Sequence, residues 1–76
     1  MNLDRINAAR QHYEAVAAEA EVTIEVYLND AVGIGEHPGV MEELRGQIEK
    51  LGEARDHIDT IITLLNKYKQ AEQLNG

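Results

Sequence analysis

Leu3, Ile6, Arg10, Tyr13, Ala17, Ala20, Ile24, Tyr27 and Ala31 follow one another at alternating steps of three and four residues. That spacing gathers them on one face of a helix, and only Arg10 is neither apolar nor small. A second stripe repeats the pattern: Met41, Leu44, Ile48, Leu51, Arg55, Ile58, Ile62, Leu65 and Tyr68, again with one arginine. Two helices are predicted, at about 3–31 and about 38–73, in a single helical-hairpin domain spanning 1–76. Asn2 is placed to cap the first helix, and Asp4 suits its positive end. One segment competes with this reading. In VTIEVYL, Val22, Ile24, Val26 and Leu28 alternate with Thr23, Glu25 and Tyr27, a strand pattern rich in β-branched residues. Helix is favoured, because the stripe enters from Tyr13, Ala17 and Ala20 without a turn residue. No second strand offers itself for pairing.

Between the stripes lies AVGIGEHPGVMEEL, residues 31–44. Gly33 suits the left-handed position past a helix end, with Ile34 placed to pack back on Leu28 or Asn29. Gly35 relaxes the turn. Pro38 suits the first turn of the next helix, where its missing N–H costs nothing, and Glu42 and Glu43 suit that helix's dipole. The turn therefore spans 32–37, with Gly33, Gly35, His37 and Pro38 as its marker residues. A nucleotide-binding loop is a poor fit. The glycine spacing is one residue too long, Glu36 would face a phosphate, and no further strands exist to build a crevice.

A short connection forces the helices antiparallel. Folding the chain about Glu36 sets Ile24 near Ile48, Ala20 near Gly52, Tyr13 near Ile58 or Asp59, and Ile6 near Leu65. Gly52 is then expected to let the helices close on Ala17 and Ala20. Val16, Val22, Val26, Ile61 and Leu64 fall beside the seam, where two helices alone leave them uncovered. The expected fold is thus all-α: an antiparallel two-helix hairpin dimerising into a four-helix bundle. Tyr13, Ile24, Tyr27, Leu44, Leu51, Ile58, Ile62 and Leu65 are the expected oligomer-interface residues.

Composition narrows the function further. The chain has 76 residues and no cysteine, so disulfides and thiolate metal sites are excluded. The first residues show no basic-plus-apolar leader and no run long enough to span a membrane, so a cytoplasmic location is expected. The net charge is −7, from 14 acidic and 7 basic side chains. Such acidity disfavours nucleic acid and anionic membrane surfaces as direct partners. Glu14, Glu19, Glu21 and Glu25 form an acidic face that a basic protein could recognise, in the manner of a nucleic-acid mimic.

Candidate chemistry is sparse. His37 with Glu36 supplies two metal ligands and no fixed third. Glu53, Asp56 and His57 are a second set, with Glu53 and His57 on one helix face, but the inward Glu-x-x-His motif of metal bundles is absent. No metal and no cofactor are expected. His12 reads as a polar neighbour of the stripe. There is no serine, and Thr23, Thr60 and Thr63 lie within helix without an activating base. The protein is expected not to be an enzyme. Arg10 and Arg55 are expected to extend their stems outward and pair with Glu14 and Asp59.

The segment VYLNDAVGIGEHPGVMEELRGQIEKL resembles small uncharacterised acidic helical proteins encoded by tailed phages that infect marine cyanobacteria. The resemblance covers the turn and the start of the second helix. It implies a phage or marine microbial origin and a setting in the host cytoplasm, and it supplies no activity and no functional residues. The functional expectation is a self-associating helical hairpin, a homodimer, acting as an accessory protein through protein–protein contacts. The alternative is an acidic adaptor or inhibitor of a basic host protein.

Overall fold

The computed structural model describes residues 1–29 and 38–75. Helix α1 runs Asp4–Asn29 and helix α2 runs Pro38–Asn75, and the two pack against each other. Among the described residues there is no strand, so VTIEVYL is helical throughout. Its alternation is a surface coincidence. Thr23, Ile24 and Tyr27 are partly buried at helical spacing, while Val22, Val26 and Leu28 are exposed. The molecule is a rod of 61 × 15 × 14 Å. Its long axis matches the ~57 Å that 38 helical residues span at 1.5 Å each.

The start of α1 is capped as its sequence implies. The Asn2 side-chain oxygen accepts the Asp4 N–H at 2.8 Å, and the Leu3 carbonyl accepts the Asn7 N–H at 3.0 Å. Pro38 opens α2, where the absent N–H is harmless. Ala31, Gly33, Ile34, Gly35, Glu36 and His37 lie outside the described residues.

Four contacts between the ends of the rod fix the helix register. Tyr27 donates a hydrogen bond to Glu43, Arg55 to Glu21, Tyr13 lies against His57, and the Met1 amino group meets Glu72. This agrees, within a turn, with a chain folded about Glu36. The α1 stripe also holds, since Leu3, Ile6, Arg10, Tyr13, Ala17, Ala20, Ile24 and Tyr27 are all buried or half-buried.

The α2 stripe is corrected in one of its two rows. Leu44, Leu51, Ile58 and Leu65 do line the seam. The row beside them that turns inward is Val40, Gln47, Ala54, Ile61 and Tyr68, not Met41, Ile48, Arg55 and Ile62. Ala54, Ile61 and Leu65 join Ala20 as the buried core. The physical reason is the fit to α1. A fully buried Ala20 leaves room for a small partner row, which Ala54 supplies, and Arg55 in that place would bury a guanidinium.

The role expected of Gly52 is also corrected. A Cβ added at Gly52, or at Gly46, would meet nothing within 4 Å, so neither glycine permits close helix approach within the hairpin. Close packing is made by alanines instead.

Candidate functional site

The rod has two long faces, one on each side of the seam. On one, Tyr13 and Tyr27 lean outward from α1 across to α2. The Tyr13 ring lies 4.6 Å from His57, and His12 meets Tyr13 edge-on at 5.0 Å. Tyr27 donates its hydroxyl proton to the Glu43 carboxylate, which holds the Tyr27 phenol above its ordinary value of 10.0. Reduced hydration of the phenol and the negative charge of Glu43 push the same way. Val16 and Leu64 are half-buried on this side and Ile61 is buried, so three of the five residues expected to lack cover are covered within one chain.

The opposite face is different. The outer row of α1 is Asn7, Glu14, Glu21 and Leu28, and that of α2 is Met41, Ile48, Arg55, Ile62 and Lys69, each at seven-residue spacing. The two rows are neighbours, because Arg55 Nη2 reaches Glu21 Oε1 at 2.7 Å between them. Around that bond Leu28 is 70% exposed, Met41 58%, Ile48 52% and Ile62 42%. Val22 and Val26 are exposed on the back of α1. Thus of the eight expected interface residues only Ile62 stands on the exposed face. Leu65 is buried, and Tyr13, Ile24, Tyr27, Leu44, Leu51 and Ile58 are half-buried in the seam of the hairpin itself. Leu28, Met41 and Ile48 were missed as surface residues. The available signal was the arginine: a row containing Arg55 is better placed outside than the row containing Ala54.

The arginines divide likewise. Arg10 stays half-buried in the seam, with Nε 3.4 Å from Glu14 Oε1, a charge contact that leaves the buried Nε–H without a hydrogen bond. Arg55 pairs with Glu21 across the helices and not with Asp59 along its own. Of the acidic face, Glu14 and Glu21 are therefore engaged by arginines, while Glu19 and Glu25 stand exposed.

Charge is unevenly spread along the rod. Setting aside the central Glu21–Arg55 pair, the half next to the connecting segment holds Glu19, Glu25, Glu42, Glu43, Glu49 and Glu53 against Arg45 and Lys50. In the half holding the termini, Asp4, Glu14, Asp56, Asp59 and Glu72 stand against Arg5, Arg10, Lys67 and Lys69. The second half is close to neutral and the first carries most of the excess.

Among the described residues no three His, Asp or Glu side chains converge to hold a metal ion, and His57 is occupied with Tyr13. Thr23, Thr60 and Thr63 each donate the hydroxyl proton to the backbone carbonyl four residues earlier, at 2.9–3.0 Å. Those hydroxyls are tied into the helix. Two open surface depressions lie on single helices, one along Ala18, Glu19, Val22 and Thr23, another along Glu42, Arg45, Gly46 and Glu49. Among the described residues no helix is long and apolar enough to cross a membrane.

No protein-family model matches the chain, and no curated protein or solved structure matches it.

Proposed function

We propose that this protein is a self-associating helical hairpin that works through protein–protein contacts, as a non-enzymatic accessory protein of a phage or microbial cell. The observation that carries this reading is an inversion within α2. Of the two rows flanking Leu44, Leu51, Ile58 and Leu65, the one with the larger aliphatic side chains, Met41, Ile48 and Ile62, is outside. The inner row is Val40, Gln47, Ala54, Ile61 and Tyr68, so the inversion lies in the half of α2 next to the connecting segment, where Met41 and Ile48 stand outside Val40 and Gln47. Exposed aliphatics at seven-residue spacing are the pattern of a second helix contact surface. Covering Leu28, Met41, Ile48 and Ile62, each already partly covered, contributes about 1 kcal/mol apiece. Doubled over two copies, this is comparable to the stability of a small domain. A hairpin whose buried side chains are Ala20, Ala54, Ile61 and Leu65 has a thin core that gains from such support.

Light scattering after size exclusion, over a range of concentrations, tests it. A particle of twice the 8.5 kDa chain mass is expected. A single-chain mass at every concentration, with helicity intact, would remove the reading.

The excess of carboxylates near the connecting segment favours a second reading, an acidic adaptor for a basic protein. Glu19 and Glu25, the unengaged members of the α1 set, would carry that contact together with Glu42 and Glu49. Titration with a lysine-rich peptide should then show binding that weakens steeply with salt. Salt-independent binding, or none at low salt, would dismiss it.

A further inference from the structure

We propose that two copies pack with their exposed apolar faces together and their rods antiparallel, related by a two-fold axis crossing α2 near Arg55. The proposal rests on the self-association reading above and adds which ends lie together. Spacing comes first. Ile48, Arg55 and Ile62 stand on the outer row at equal intervals of seven residues, and Arg55 lies near the midpoint of Pro38–Asn75. A two-fold axis perpendicular to the rod at Arg55 lays Ile48 over Ile62 of the second copy, and Ile62 over its Ile48. Because the axis is central, the rods overlap along their whole length. The overlapped face, about 61 × 15 Å, has the size that each partner of a standard interface contributes, roughly 800 Å².

An axis running along the rod would bury a comparable set. It would lay Ile48 over Leu28 of the second copy and leave Ile62 opposite Glu14. Apolar packing alone does not choose between these two arrangements, and charge does. In the parallel arrangement the acidic halves lie side by side. Helices in contact are about 8–10 Å apart, which is close to the Debye length of about 8 Å at physiological ionic strength. Their mutual repulsion is then poorly screened. In the antiparallel arrangement each acidic half lies on a half that is close to neutral. Lys67 and Lys69 come to the height of Glu42 and Glu43 of the second copy, and the two acidic halves point away from each other. At the axis each Arg55 keeps its own Glu21, so the two guanidinium groups meet in the company of two carboxylates.

The chain contains no cysteine, so one introduced cysteine carries one spin label. Gln70 is exposed and uncharged. It lies fifteen residues from Arg55, so Gln70→Cys places the labels of an antiparallel dimer ~45 Å apart along the rod at 1.5 Å per residue. A parallel dimer places them ~20 Å apart, across neighbouring helices. The labelled full chain is measured by pulsed dipolar spectroscopy, with its mass taken by light scattering on the same sample. A dimer mass with the long distance is the expected result. A dimer mass with the short distance overturns the antiparallel arrangement and leaves self-association standing. A single-chain mass without dipolar coupling overturns both.

Discussion

The two long faces of this rod flank the same apolar seam, yet one is closed and the other is open. On the closed face Tyr13 and Tyr27 reach from α1 to His57 and Glu43 on α2. On the open face the corresponding positions of α1 hold Glu14, Glu21 and Leu28, and the bridging contact is the exposed Glu21–Arg55 pair. An aromatic ring carries enough apolar area to roof a seam, and a solvated ion pair does not. The difference shows that closure of a two-helix seam depends on the length and chemistry of the flanking side chains as well as on the apolar stripe. It also explains why Val16 and Leu64 are half-buried while Met41 and Ile48 are not.

The largest test of this contrast compares Ile61 with Ile62, adjacent residues on opposite sides of the seam. Ile61→Ala should cost about 2–5 kcal/mol, the usual range for a buried isoleucine. Ile62→Ala should stay within about 0.5 kcal/mol, as for a surface change. Thermal unfolding of both, at a concentration where the chain is monomeric, gives the order. The reverse order would mean that the α2 register is wrong.

Next in size is the loss of association. Ile48→Glu on the open face should abolish the dimer mass while circular dichroism remains helical. His57→Glu on the closed face should leave the mass unchanged. Equal effects of the two changes would erase the distinction between the faces.

A smaller gain is expected from Gly46→Ala. The added methyl meets open space, so the helix should gain about 1 kcal/mol, the propensity difference between glycine and alanine. Gly52→Ala should match it in the monomer. In the dimer a smaller gain at Gly52, which lies between Ile48 and Arg55 on the helix, would show that a second copy closes over it.

The smallest effects concern the polar links across the seam. Arg55→Ala should cost less than about 1 kcal/mol in the monomer, because the pair is exposed. The Tyr27–Glu43 bond gives a pH signature of definite sign. The phenol is held above 10.0 in the folded chain by its hydrogen bond to Glu43. The folded state therefore keeps the proton longer than the unfolded chain. The stabilisation is present in full below pH 10.0 and is lost as pH rises through the folded value. Ultraviolet titration should show Tyr27 ionising late, and Glu43→Gln should bring it back toward the ordinary phenol value of 10.0.

The local signals in the chain determined the helical class, the cap at Asn2, the start of α2 at Pro38, the antiparallel register and the inward face of α1. Each rests on spacing or on a single residue's backbone chemistry, which acts before any tertiary contact forms. Even the strand-like VTIEVYL yields to the uninterrupted stripe. Which row of α2 turns inward was marked in the sequence only by Arg55, and spacing alone did not separate the rows. Both flanking rows border the same apolar band and both are mixed: Met41, Ile48 and Ile62 share one with Arg55, and Val40, Ala54 and Ile61 share the other with Gln47. Only packing against the alanine-rich middle of α1 decided it, because a seam narrowed at Ala20 admits Ala54 and excludes Arg55. That choice turned the larger aliphatics outward and left the open face along the rod.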